Sequence, residues 1–168
     1  KELKEKWIKF EIENCKGYAI YEYGEKIQSL LYQFKGCYDY ELKGVFLDKY
    51  KLILSILYWN YIVIGIPSNT EDDNTRGFNH VREIFSFLKL KRVDALYKSY
   101  TYKQSDRSKE DRKEIEKCMK VNKDIDIKGK KILLVDDVVT TGNSLRAAIK
   151  LLKPLKPKII KILTICKV

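Results

Sequence analysis

The stretch Ile132-Leu133-Leu134-Val135-Asp136-Asp137-Val138-Val139-Thr140-Thr141-Gly142-Asn143-Ser144-Leu145 decides how this chain is read. It is an apolar run, two adjacent acids, then a small, hydroxyl-rich turn that opens a helical pattern. Residues 131–135 are short, apolar and partly β-branched, which predicts a buried strand of a parallel sheet with Asp136 and Asp137 at its carboxyl end. Open α/β sheets bind their ligands there. Thr140, Thr141, Gly142, Asn143 and Ser144 let the backbone bend tightly and aim free N–H groups at one point ahead of the helix, where a phosphate fits. An ordinary helix cap needs one Ser, Thr, Asp or Asn. Here two carboxylates and four small polar side chains converge around a glycine, which points to a ligand.

The bulk numbers frame that reading. The chain has 168 residues, 45% of them hydrophobic, enough for one core and too few for two ordinary domains. No apolar run reaches the length of a membrane span. The charged opening, Lys1-Glu2-Leu3-Lys4-Glu5-Lys6, is unlike a signal peptide, so a soluble, cytoplasmic protein is expected. Cys15, Cys37, Cys118 and Cys166 are scattered with no CxxC pair, and neither a zinc site nor a redox motif is signalled. Net charge is +11, and no acid follows Asp137, whereas Arg146, Lys150, Lys153, Lys156, Lys158, Lys161 and Lys167 do. That distribution favours anions near the turn, although lysine-rich surfaces also serve solubility.

Along the chain, residues 1–14 read as a helix or its tail, and 18–23 as a half-buried strand. Ile27, Leu30, Leu31 and Phe34 repeat at helical spacing up to Gly36, and a second helix is expected over 42–57. Residues 61–66 form an apolar strand ended by Pro67. Phe78, Val81, Phe85 and Leu88 make another helical stripe, and 93–97 a short strand. Residues 98–128 are charged and weakly periodic, a mobile lid or a helix-containing insertion. A helix with Leu145, Ala148, Ile149 and Leu152 inward and a strand over 159–166 close the chain. Strands alternating with helices predict an α/β fold with a parallel-centred sheet.

The acid pair with Thr-Thr-Gly resembles the phosphoribosyl diphosphate (PRPP) signature of type I phosphoribosyltransferases. The resemblance implies that Asp136 and Asp137 hold the ribose hydroxyls of PRPP or a ribose 5-phosphate, and that the run from Val138 and Val139 through Thr140, Thr141, Gly142, Asn143 and Ser144 wraps the 5-phosphate. The loop Pro67, Ser68, Asn69 then stands where that family binds diphosphate. Arg76 could reach the same diphosphate or fix the loop through a salt bridge. Lys103, in the segment matching the family's catalytic loop with Gln104, Arg107 and Arg112, joins Asp136 and Asp137 as a candidate catalytic residue. The implied fold is a type I phosphoribosyltransferase-like sheet flanked by helices. A small N-terminal hood takes residues 1–60, and the core takes 61–168, in one compact domain. The implied cofactor is Mg2+, held through PRPP and waters with no direct ligand required, Asp136 and Asp137 being candidates for one.

A second cluster is more specific. The strand Tyr61-Ile62-Val63-Ile64-Gly65-Ile66-Pro67 and the run Arg76-Gly77-Phe78-Asn79-His80 resemble the ComF family, competence-associated proteins built on a phosphoribosyltransferase domain, with His80 in place of the family's Gln. The segment 101–104, Arg112 and Phe34-Lys35-Gly36 extend the likeness. The four-cysteine zinc module that ComF proteins commonly carry has no counterpart in this spacing. His80 is assigned no role, since a lone histidine on a helix is more often structural. Tyr18, Tyr21, Tyr23, Tyr32, Tyr38 and Tyr40 could stack on an acceptor base or simply pack. The expected activity is transfer of phosphoribose from PRPP to an unnamed nitrogen acceptor with loss of diphosphate, in a competence or DNA-uptake setting. The alternative is a non-catalytic PRPP sensor or single-stranded-DNA accessory module, since Lys and Tyr interleave on a basic chain.

Overall fold

The computed structural model describes residues 5–37, 39–68, 73, 77–99 and 119–168. The chain enters as a hairpin, β1 (Glu5–Ile12) and β2 (Cys15–Glu22), turned by Glu13 and Asn14 at φ 50 and 61. Two central residues at positive φ match the right-handed twist of the flanking strands. The helix expected over 1–14 is thus corrected to a strand from Glu5 onward. Ile8, Phe10 and Ile12 alternate with Lys9 and Glu11, a period of two that the charged, helix-favouring composition masks. Trp7 sits at φ 46 where the register slips between Glu5 and Ile8.

The main sheet has the order β1-β2-β7-β6-β3, built with β3 (Tyr61–Gly65), β6 (Lys131–Val139) and β7 (Ile159–Lys167). Every pairing but the hairpin is parallel. The strand expected over 131–135 runs on to Val139, so both acids lie inside it. Residues 5–22 therefore belong to the edge of this sheet and are not helical. A parallel-centred mixed sheet flanked by helices is what the alternation of strands and helices predicted, and it is the architecture that the family resemblance implied.

Because side chains alternate across a strand, the sheet has two apolar faces. One carries Val63, Leu133, Val135, Leu163 and Ile165, and is covered by α1 (Glu25–Gly36), α2 (Lys51–Leu57) and α3 (His80–Ile84). The other carries Ile62, Ile64, Ile132, Leu134 and Ile162 beneath α4 (Asn143–Leu152). The helix expected over 42–57 is broken. Two 3-10 turns, Tyr40–Gly44 and Asp48–Tyr50, precede α2, and Gly44, a poor helix former, ends the first. The stripe from Phe78 to Leu88 yields only α3. There the Arg92 guanidinium donates to the carbonyls of Arg82 (2.9 Å) and Phe85, and so closes the helix end. The short strand is β4 (Leu96–Lys98), antiparallel to β5 (Met119–Val121), which lies inside the stretch read as a polar excursion. Among the described residues no helix is long and apolar enough to cross a membrane.

Candidate functional site

Adjacent parallel strands end together, so the C-terminal ends of β3 and β6 bring the two predicted loops side by side. The Ile66 amide donates to the Val135 carbonyl (2.9 Å), which sets Pro67 and Ser68 beside Asp136. After β6 the exposed Thr140 and Thr141 lead to buried Gly142 at φ 73, and α4 starts there with no side-chain cap. Glycine adopts this left-handed backbone without strain, and a Cβ at this position would lie 2.8 Å from Ile12 Cδ1. The first amides of α4 therefore remain available to an anion. Asn143 and Ser144 are half-buried at that end, and the Asn143 carbonyl oxygen accepts from Arg146 Nη1 (2.8 Å). Arg146 also pairs with Glu13 (3.4 Å), and Lys153 donates to the Glu13 carbonyl (2.8 Å), so the β1–β2 turn is tied to α4.

The two acids have different surroundings. Asp137 is buried, ion-paired with Lys35 at the end of α1, and lies 3.7 Å from Nε2 of His80 at the start of α3. Asp136 accepts from the Asp137 amide (2.9 Å). Burial pushes its carboxyl up to about 7, while Lys35 and Lys98 pull it back. Cys166 underlies the pair, its Sγ 3.9 Å from the Asp137 carbonyl oxygen, and burial pushes its thiol up to about 12, which makes it unreactive.

The loop after β3 is fixed by a polar cluster. Ser68 donates to Asp73, and Asn79 Nδ2 donates to Ser68 (2.6 Å) and Asp73 (2.7 Å). The same Asn79 caps α3 by accepting from the Arg82 amide (2.8 Å). A cavity of about 270 Å³ opens here, with Pro67, Ser68, Asn79, Arg82, Arg92 and Lys98 among its walls. On the other side of Asp137 a groove runs past Tyr23, Glu25, Gln28, Tyr32, Lys35 and Val138.

Of the predicted site residues, the fold brings together Pro67, Ser68 and the continuous run Asp136, Asp137, Val138, Val139, Thr140, Thr141, Gly142, Asn143 and Ser144. Asn69, Arg76 and Lys103 lie outside the described residues, as do the expected lid residues 100–112 and Cys118. Among the tyrosines, Tyr23 and Tyr32 line the groove, whereas buried Tyr21 donates to the Phe46 carbonyl (2.9 Å) and Tyr40 to Glu83 (2.7 Å). Tyr38 is outside the described residues. Sequence reasoning missed Lys35, His80 and Lys98 as neighbours of the acids and Asn79 as the tie of the loop. Lys35 and Asn79 did stand in the motifs quoted for the family resemblance. Among the described residues no group of three or more His, Cys, Asp or Glu could hold a metal ion. A divalent cation at this sheet end would take most of its ligands from a bound phosphate and water, with Asp136 the nearer protein carboxylate, since Asp137 is held by Lys35.

Residues 74–168 match the model of the phosphoribosyl transferase domain family, more than half of the chain and all of the run from β6 onward. The chain belongs to that family. Solved structures similar to this phosphoribosyltransferase domain include a hypoxanthine-guanine phosphoribosyltransferase from Bacillus anthracis, at 18% identity over 75% of this chain and 66% of that one, with a TM-score of 0.45. Another is an adenine phosphoribosyltransferase from Saccharomyces cerevisiae, at 15% identity over 76% and 70% with a TM-score of 0.49. The chain thus spans about two thirds of the length of these enzymes. A phosphoribosylpyrophosphate synthetase from Mycobacterium smegmatis is similar over 68% of this chain and 33% of its own, at 16% identity and a TM-score of 0.39. No match was found among curated proteins.

Proposed function

We propose that this phosphoribosyltransferase domain binds PRPP at the shared end of β3 and β6 and transfers its phosphoribosyl group to a nitrogen acceptor with release of diphosphate. The observation that carries the reading is the juxtaposition, on one sheet end, of Asp136 with the uncapped α4 amides behind Gly142. The amides and the Thr140, Thr141 and Ser144 hydroxyls take the 5-phosphate. Asp136 and Asp137 take the ribose hydroxyls, and Asp137 also fixes the strand end through Lys35 and His80. The Pro67–Ser68 turn, with Asn69 and Arg76, takes the diphosphate. Lys98, together with Lys103, neutralises the leaving group. Catalysis of this kind is positioning and electrostatics, and each charge-assisted contact strengthens as charge develops on the departing diphosphate. Magnesium, bound through the diphosphate and water near Asp136, would supply further neutralisation. The Arg76 to His80 run and Phe34-Lys35-Gly36 support placement in the ComF group and a role in DNA uptake from the cytoplasmic side.

A second reading keeps PRPP binding without turnover, a sensor or single-stranded-DNA accessory. The Lys35–Asp137 ion pair favours it, because one of the two acids is already committed inside the protein. One experiment separates the readings. Calorimetry with PRPP and Mg2+ should give saturable binding that Asp137→Asn weakens roughly ten- to a hundredfold. A parallel screen of nitrogen bases for diphosphate release then reports turnover. Absence of PRPP binding by the intact protein refutes both readings, and binding without release on any base favours the sensor.

A further inference from the structure

The segment Leu52-Ile53-Leu54-Ser55-Ile56-Leu57-Tyr58-Trp59 is built inside out. Only Leu54 and Tyr58, four apart, face the core, whereas Leu52, Ile53, Ile56, Leu57 and Trp59 are between 51% and 75% exposed. A surface helix normally shows water its polar face. These five residues leave roughly 600 Å² of largely apolar surface along one short segment. That approaches the ~800 Å² each partner brings to a standard protein interface. The patch lies on α2 and the turn after it, and takes no part in the phosphoribosyl site.

We propose that this face is a self-association surface, occupied by the same face of a second copy of the chain. Charge selects the occupant. Residues 52–59 carry no charge in a chain that is 34% charged and +11 overall, so two like-charged copies can meet here without opposing lysines. A polyanion would need cations within the face. An anionic membrane would need a strongly basic surround, yet the charged residues of the two turns that lead into α2 are nearly balanced, Glu41 and Asp48 against Lys43, Lys49 and Lys51. The geometry is also self-complementary. Leu52 and Ile56, and Ile53 and Leu57, form two i,i+4 ridges that pack into their own copies about a two-fold axis. An antiparallel pairing sets Lys51 of one copy opposite Trp59 of the other, where an ammonium over an indole ring is favourable.

Light scattering on the full chain, in reductant and across concentration, tests this. The expected result is a shift from 19.9 kDa toward about twice that mass. Added salt should strengthen it, because screening removes the repulsion between basic copies. Ile56→Glu should weaken association on the order of a hundredfold. Leu52→Glu, also at an exposed position, should do the same and guards against a fold defect peculiar to one variant, with circular dichroism reporting the fold of each. A mass of 19.9 kDa at every concentration and salt overturns the proposal. So does a monomer that co-floats with vesicles containing phosphatidylglycerol in an Ile56-dependent way, which would assign the patch to lipid instead.

Discussion

Replacing Asp136 with Asn should make the protein more stable and less able to bind PRPP, in a pH-dependent way that follows from its burial. The carboxyl stands up to about 7 when folded against an ordinary value of 3.8. The folded state therefore holds a proton between these values that the unfolded chain has released. Stability then falls as pH rises through that window and is flat above it. The full difference corresponds to on the order of 4 kcal/mol. Since Asp136 is only partly shielded from water, roughly 2–3 kcal/mol is expected in practice. Asparagine imitates the protonated acid and keeps an oxygen to accept from the Asp137 amide, so the strand end is preserved. Urea unfolding at fixed ionic strength should show wild type and Asp136→Asn nearly equal at pH 4 to 4.5, with the variant ahead by roughly 2–3 kcal/mol at pH 8. In thermal terms that is roughly 4–12 °C for a chain of this length. Adding PRPP and Mg2+ at pH 8 should raise the melting temperature of the wild type and leave the variant unmoved. A stability difference that stays constant across pH, or a variant less stable at pH 8, refutes the assignment of Asp136 as a buried acid that binding must ionise.

Two further outcomes follow from the same geometry. Gly142→Ala should lose about 1–3 kcal/mol, from positive φ and from the contact with Ile12 Cδ1. Adding Ile12→Val removes that methyl and should restore part of the loss by thermal unfolding, whereas no restoration would place the whole cost in the backbone. A double-mutant cycle of Lys35→Met and Asp137→Asn, read by urea unfolding, should give a favourable coupling of about 1–3 kcal/mol, because either single change removes the direct ion-pair partner of a buried or half-buried charge. Additive effects would show the ion pair to be incidental.

What the sequence made legible was whatever has a short period or a local geometric demand. The strands β3, β6 and β7 announce themselves as apolar runs, and Gly142 among small polar residues marks a left-handed turn before a helix. β1 was obscured because Lys and Glu dominate residues 1–14, and its Glu13-Asn14 turn lacks the glycine that usually flags a two-residue hairpin. The partners of the acids were not legible for a different reason. Lys35 ends α1, His80 opens α3 and Lys98 ends β4, three elements far apart in sequence that meet Asp136 and Asp137 only because parallel strands gather their C-terminal ends. No local pattern encodes such a meeting. It also changes the chemistry that identical neighbouring acids suggest, since Asp137 is committed to a cation within the protein while Asp136 is held near neutrality by burial. A pair that reads as symmetric in sequence is thus divided by the fold into an anchored acid and a poised one, and the poised one is where ligand binding and pH should be coupled.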